Sequence, residues 1–311
     1  MHLGLSLLTL FPGRVGGSES YVQGLVDQFG AGVGPERVTI LANAHVMARY
    51  GEWARGGVAL HHVTSYRAGD RDVTRVAAMA GARIAPARVA RDVPPGLDLI
   101  HYAVTIPIPA VAKPSVVTVH DVSHLDRSGL VELPLRRYRR WAYDRAARDA
   151  DAVIATSEFA RRRIVEGMGA APERVHVVGL GVDHATFRPE ARSDDEQRLT
   201  ALRLPPRFVL YPANLWPHKN HERLLQALAR VDGGLGLVLA GQAYGRGHAL
   251  AASAQRLGVA ARVRQVGHVA PETLAALYRQ ARATVIPSLH EGFGMPALEA
   301  MACGCPVASS G

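Results

Sequence analysis

The chain has 311 residues, 48% of them hydrophobic, and a formal net charge of +9, which is ordinary globular material long enough for two cores. A disulfide scaffold is excluded, because the only cysteines, Cys303 and Cys305, lie one residue apart and cannot bridge each other without strain, and no run approaches the roughly 20 apolar residues of a membrane span. The basic excess admits phosphate groups, anionic lipid or nucleic acid as partners and does not choose among them.

Leu3–Leu10 opens the chain as a strand; it lacks a basic flank and leads into a glycine turn, so it does not read as a signal peptide. Arg37–Leu41, Val58–Thr64, Leu97–Tyr102, Ser115–His120, Asp151–Thr156 and Val175–Val178 follow as short apolar runs separated by longer amphipathic segments. That alternation predicts parallel strands joined by crossover helices, an α/β fold. A second series starts at Phe208–Tyr211 and continues through Leu237–Ala240, Val263–Val266, Thr284–Pro287 and Pro306–Ser309, with helices over Glu222–Arg230 and Pro271–Ala281. Between the two series, Phe187-Arg188-Pro189 and the polar stretch 191–206 have the composition of a linker. The expected division is a first domain over 1–190, a linker over 191–206 and a second domain over 207–311.

The segment from Val285 to Gly311 carries most of the chemistry. A strand ends near Ser288, Glu291-Gly292-Phe293-Gly294 makes a glycine-flanked turn, and Pro296 suits the first position of a short helix that Gly304 and Pro306 end. Glycines at 292 and 294 let the backbone approach a ligand, and the helix start offers free N–H groups and the positive end of a dipole, a seat for phosphate. Glu291 and Glu299 are eight residues apart, about 12 Å even along a continuous helix, too far for the paired carboxylates of a glycosidase. They fit better as acceptors for sugar and ribose hydroxyls.

This segment, with Glu291, Gly292-Phe293-Gly294 and Glu299-Ala300-Met301 in register, resembles the glutamate-pair signature of family 4 glycosyltransferases, retaining enzymes of the GT-B fold. The resemblance implies two Rossmann-like domains facing a cleft, an acceptor domain first and a nucleotide-sugar donor domain second, with further βα units expected beyond Gly311, so that the second domain is incomplete. It implies that Glu291 contacts the donor sugar and Glu299 the ribose, with backbone N–H groups around Phe293 and Gly294 on the sugar and diphosphate. Tyr211–His221 resembles the family's donor-phosphate loop. Lys219, one of two lysines in the chain, suits the leaving diphosphate as a mobile ammonium. Asn214 and Leu215 stand near where many members carry an arginine. In the first domain, Gly16 and Gly17 resemble the family's N-terminal glycine loop, and Thr118-Val119-His120-Asp121 its histidine segment, where His120 is expected to hydrogen-bond a sugar hydroxyl.

The expected catalytic residues are therefore His120, Lys219 and Glu291. Gly16, Gly17, Asn214, Lys219, Gly292, Phe293, Gly294 and Glu299 are the expected donor-binding residues. The expected reaction moves a hexose from an NDP-sugar, GDP-mannose or a UDP-sugar, to a glycan or lipid-linked acceptor in polysaccharide biosynthesis. A catalytically impaired nucleotide-sugar-binding protein and another GT-B enzyme, an epimerase or phosphorylase, are the alternatives. No aspartate-rich metal motif is evident and Cys303-Gly304-Cys305 lacks the second pair a zinc site needs, so no metal or cofactor is expected, and Cys303 and Cys305 read as small core residues. Nucleic acid is not expected as a partner. The chain reads as cytoplasmic, with Arg136, Arg137, Arg139, Arg140, Trp141 and Tyr143 either a solvated helix face or a peripheral contact at the inner membrane face.

Overall fold

The computed structural model of the chain describes residues 1–13, 17–35, 37–126, 133–231 and 233–310, and they divide into two compact units, Met1–Leu180 and Gly181–Gly311. In the first, the strands are β1 (His2–Ser6), β2 (Arg37–Ala42), β3 (Val58–His62), β4 (Leu99–Tyr102), β5 (Ser115–Val119), β6 (Ala152–Ala155) and β7 (Val175–Val177). They are connected through helices α1 (Gly17–Gly30), α2 (Ala44–Arg49), α3 (Asp72–Ile84), α4 (Pro86–Ala90), α5 (Ser123–Asp126), α6 (Leu133–Asp149) and α7 (Glu158–Arg163). The second unit contains α8 (Asp195–Thr200), β8 (Phe208–Pro212), α9 (His221–Leu228), β9 (Gly236–Ala240), α10 (Gly247–Arg256), β10 (Val263–Gly267), α11 (Pro271–Gln280), β11 (Thr284–Ile286), α12 (Met295–Ala302) and β12 (Val307–Ser309).

Every strand pair is parallel. The sheet orders are β3-β2-β1-β4-β5-β6-β7 and β10-β9-β8-β11-β12. Both are doubly wound, and the strand order reverses between β1 and β4 in one and between β8 and β11 in the other. At such a switch point the loops leave in opposite directions and open a crevice at the strands' C-terminal ends, where α/β sheets bind ligands. Apolar side chains cover both faces of each sheet. In the second unit one face packs Phe208, Leu210, Tyr278 and Ala300, and the other packs Tyr211, Leu225, Leu237 and Ile286. Cys303 and Cys305 are free thiols buried in the first of these clusters, small core residues as expected.

Two expectations change. The opening strand stops at Ser6 rather than Leu10, because Leu10 N–H turns back to Leu7 O at 3.0 Å and the Asn43 amide takes the carbonyls of Leu8 and Leu10, each at 2.9 Å. The stretch expected to link the domains is packed into the second unit, and the division falls at 180/181 rather than near 190. Arg279 on α11 grips Asp195 with two hydrogen bonds of 2.8 and 2.6 Å and the Arg188 carbonyl with a third of 3.1 Å. Phe187 meets the Tyr278 ring edge-on, and Leu199, Leu202 and Leu204 pack on the same core. A polar composition signalled a linker, but one buried bidentate ion pair and a row of leucines override it.

Candidate functional site

The second unit's switch point is stitched across its two loops. After β8 the chain makes a single turn over Pro217–Lys219 and passes through Asn220 at φ 58°, a left-handed conformation that asparagine tolerates better than most residues. Asn220 Nδ2 donates to Pro287 O at 3.1 Å, and Leu289 N–H donates to His218 O at 2.7 Å. The buried Tyr211 hydroxyl donates to Lys219 O at 2.8 Å and lies 2.9 Å from Ser288 Oγ. These four bonds tie the loop after β8 to the loop after β11, and they fix where Lys219 and Glu291 emerge.

The result is a contact between residues 72 apart in sequence: Lys219 Nζ donates to Glu291 Oε1 at 2.7 Å. Both side chains are partly accessible, at 17% and 28%. An ammonium has three donors and a carboxylate two oxygens, so the pair leaves further Lys219 N–H groups for an anion and Glu291 Oε2 for a hydroxyl. The pair is a charged, half-open site rather than a sealed structural bridge.

Beside it, Gly294 at φ +88° starts α12 with no side-chain cap. A Cβ at Gly294 would meet nothing within 4 Å, so glycine is needed there for its backbone angle and not for packing. An uncapped start leaves N–H groups and the positive end of the helix dipole to a ligand. Further along α12, Glu299 Oε2 accepts from the Tyr278 hydroxyl at 2.9 Å. Burial pushes the Glu299 carboxyl up to about 7, and the Tyr278 hydrogen bond opposes that rise. Tyr278 is fully buried on α11, and burial holds its hydroxyl protonated, so it is the donor in this pair.

Asn214 occupies the loop after β8, where it clamps the neighbouring loop: its Oδ1 accepts from Gln242 N–H at 2.8 Å, and Leu215 N–H donates to Gln242 O at 3.0 Å. Its Nδ2 is the donor left to it. The two loops approach so closely that a Cβ on Gly241, at φ +151°, would sit 2.5 Å from Ala213 O. Trp216 stacks on Tyr244 next to this clamp, ring centroids 4.6 Å apart.

At the first unit's strand ends the histidines are neutral, and Asp121 next to His120 is paired with Arg139 at 3.0 Å. His120 Nε2 lies 2.7 Å from Ala103 O; a carbonyl only accepts, so Nε2 carries the proton and Nδ1 is an acceptor. Burial lowers the His120 pKa. Behind it Thr118 is the hub: its Oγ1 is 2.8 Å from His101 Nε2 and 3.1 Å from the Tyr21 hydroxyl, and its carbonyl accepts from Thr105 Oγ1 at 2.8 Å. Burial drives the His101 pKa down to about 4. The Tyr21 ring meets His120 edge-on at 4.8 Å. Gly17 is the first residue of α1, and Glu19 in its first turn accepts from Gly13 N–H at 2.8 Å and from the Tyr50 hydroxyl. Gly16 lies outside the described residues.

Of the residues expected from sequence, Lys219 and Glu291 are in contact, Gly292, Phe293 and Gly294 form the turn between Glu291 and α12, and Glu299 stands within α12. Asn214 has a clamping bond to Gln242 that the sequence does not announce. Sequence reading missed Tyr278 and gave no individual role to Tyr211, Asn220 and Thr118, although all three lie in the motifs it singled out. The available signal was modest: Tyr211 and Tyr278 sit at core positions of a strand and a helix, where a buried hydroxyl requires a partner.

Two doubly wound, all-parallel Rossmann-like sheets are the architecture of a GT-B protein. Residues 15–186 match the model of Glycosyltransferase Family 4, and residues 193–311 match that of Glycosyl transferases group 1. The chain belongs to glycosyltransferase family 4. It is 33% identical over 210 residues to the D-inositol 3-phosphate glycosyltransferases of Mycobacterium tuberculosis and Mycobacterium bovis, a match spanning 64% of this chain and 42% of those proteins. The chain thus matches about two-fifths of the length of these curated relatives. Among solved structures, sucrose-phosphate synthase from Thermosynechococcus elongatus aligns with a TM-score of 0.75 at 21% identity, over 99% of this chain and 81% of that one. Anabaena HepE in complex with UDP and glucose aligns with a TM-score of 0.70 at 20% identity, over 99% and 80%. At these identities the structural likeness speaks for the fold. No helix among the described residues is long and apolar enough to cross a membrane.

Proposed function

We propose that this chain is a nucleotide-sugar-dependent glycosyltransferase whose second unit holds the donor. The observation that carries the reading is the 2.7 Å contact of Lys219 with Glu291 at the switch point between β8 and β11, next to an uncapped helix start. An ammonium and a helix N-terminus stabilise a leaving diphosphate. A carboxylate at the same place orients sugar hydroxyls, and Glu299 accepts from the ribose. The donor is an NDP-sugar, GDP-mannose or a UDP-sugar, and the acceptor is a glycan or lipid-linked sugar bound through the first unit, with His120 Nδ1 accepting from a hydroxyl. HepE and its complex with UDP-glucose support a nucleotide-sugar as the ligand class; the mycobacterial relatives support glycosyl transfer as the reaction.

In the proposed reaction the bond between the anomeric carbon and the diphosphate oxygen breaks, and Lys219 and the start of α12 take up the negative charge that develops. The acceptor oxygen attacks the same face of the oxocarbenium-like centre, its proton passing to the leaving phosphate, so configuration is retained. Lys219 supplies the cation at the leaving group, so the reaction is taken to need neither metal nor cofactor. The test is transfer from an isotopically labelled donor, with the product's anomeric configuration read by NMR and the rate compared with and without EDTA. Retained configuration and an EDTA-insensitive rate are expected. An inverted product refutes the same-face mechanism, a rate abolished by EDTA refutes metal independence, and donor binding without transfer to any acceptor supports the impaired-binder reading instead.

A further inference from the structure

Helix α3 turns its apolar side outward. Val73, Val76 and Ile84 are 79%, 52% and 84% exposed, and Ala77 and Ala80 between them are exposed as well. Val73, Ala77, Ala80 and Ile84 follow helical spacing, so they form one stripe along a helix about 20 Å long. The inward side of the helix is already satisfied: Ala78, Met79 and Ala82 pack on the first unit's core. An amphipathic helix in a globular protein buries its apolar face; this one buries a second apolar face and leaves the first uncovered.

The stripe is continued by α6. Tyr138 on α6 contacts Met79 of α3 through a 3.2 Å hydroxyl–sulfur bond, and the Arg83 guanidinium lies 4.3 Å over the Trp141 ring. Trp141 is 52% exposed; by helical spacing Arg137, Arg145 and Arg148 lie on its side of the helix and Arg140 flanks it, and all four are exposed. Arg140 and Arg145 are partly neutralised by Asp144 and Asp149, and Arg148 turns to the Met168 carbonyl at 3.3 Å, which leaves Arg83 and Arg137 as the net charge beside the tryptophan. An apolar stripe bordered by arginines with an indole at the boundary has the layout of a surface that rests in the interface of an anionic bilayer, apolar residues among the acyl chains and guanidinium groups at the phosphates.

We infer that the α3–α6 face of the first unit is a docking surface for an anionic membrane, with Val73, Ile84 and Trp141 inserted and Arg83 and Arg137 on lipid phosphates. The inference goes beyond the donor-site reading and rests on none of its residues.

The test is vesicle flotation of the whole chain with phosphatidylcholine alone and with phosphatidylcholine mixed with phosphatidylglycerol, at low and high salt, alongside Ile84→Glu and Trp141→Phe. The wild type is expected to float only with phosphatidylglycerol, to release as salt rises, and to show a blue-shifted tryptophan emission that Trp141→Phe lacks. Ile84→Glu is expected to weaken partitioning by about tenfold, while its thermal melting matches the wild type because the residue is solvent-exposed. No flotation with anionic vesicles, equal flotation with both compositions, or an Ile84→Glu chain that floats like the wild type each overturns the inference. So does self-association without vesicle binding that Ile84→Glu abolishes, which assigns the face to a second copy.

Discussion

The two switch points share one topology and differ in chemistry. In the second unit the strand ends present charge: an ammonium, a carboxylate and a helix start with no side-chain cap. In the first the buried groups are neutral: burial lowers the pKa of His101 and of His120, whose Nε2–H tautomer the Ala103 carbonyl fixes, and the neighbouring Asp121 is paired with Arg139. The fold therefore does not dictate the chemistry; the residues that follow each strand do. A charged end suits a diphosphate whose charge changes during reaction, and a neutral one suits hydroxyl groups whose charge does not.

The largest effect that follows from this contrast belongs to Lys219. Replacing it with alanine removes the cation and leaves the Glu291 carboxylate facing the diphosphate, so donor affinity should fall by about 2–4 kcal/mol, roughly 30- to 1,000-fold in Kd. Gly241→Ala comes next: at φ +151° and with a Cβ 2.5 Å from Ala213 O, it should destabilise the second unit by about 2–4 kcal/mol. Calorimetric melting would show it, and an unchanged melting temperature would mean the clamp of the loops after β8 and β9 is not as tight as described.

A smaller effect distinguishes the units by pH. The free Glu299 carboxyl sits at about 7, and in the proposed donor complex ribose hydroxyls donate to its carboxylate form, so that binding would release a proton. Donor affinity should rise by about tenfold from pH about 6 to about 8 and level off above; the sugar diphosphate has no proton to exchange in that range. Because the folded state holds this proton more tightly than the unfolded chain, the group's contribution to stability falls as pH rises from about 4.5 towards 7. Tyr278→Phe removes the hydrogen bond that favours the carboxylate and should move the affinity midpoint upward; an unmoved midpoint would leave Tyr278 a packing residue only. The smallest effect is expected at His120→Gln, in the neutral end of the first unit: donor Kd should stay within about twofold while transfer slows.

How much of this was readable from the sequence varied with range. The twelve strands among the described residues fall on short segments rich in apolar or β-branched residues, because a strand's pattern is local, and Gly294 with Pro296 marked the start of α12 for the same reason. The partnership of Lys219 with Glu291 was legible only as two motif positions, since the bonds that bring them together, from Asn220 to Pro287 and Leu289 to His218, join loops about 70 residues apart. The packing of 191–206 was not legible, because composition reports solvent preference and carries no record of the Arg279 side chain that holds Asp195. Tyr278 was hidden in an ordinary helical pattern, where a tyrosine at a core position looks like any other aromatic until its hydroxyl's partner is known.

The central claim is that the charged switch point of the second unit binds a nucleotide-sugar. Isothermal calorimetry of the chain with a panel of UDP- and GDP-sugars, repeated with Lys219→Ala and Glu299→Ala, tests it most directly. Selective binding of one donor, weakened by both substitutions and unaffected by His120→Gln, is the predicted result. Donor binding that survives Lys219→Ala and Glu299→Ala unchanged would contradict it, as would no binding of any donor by a chain that melts cooperatively.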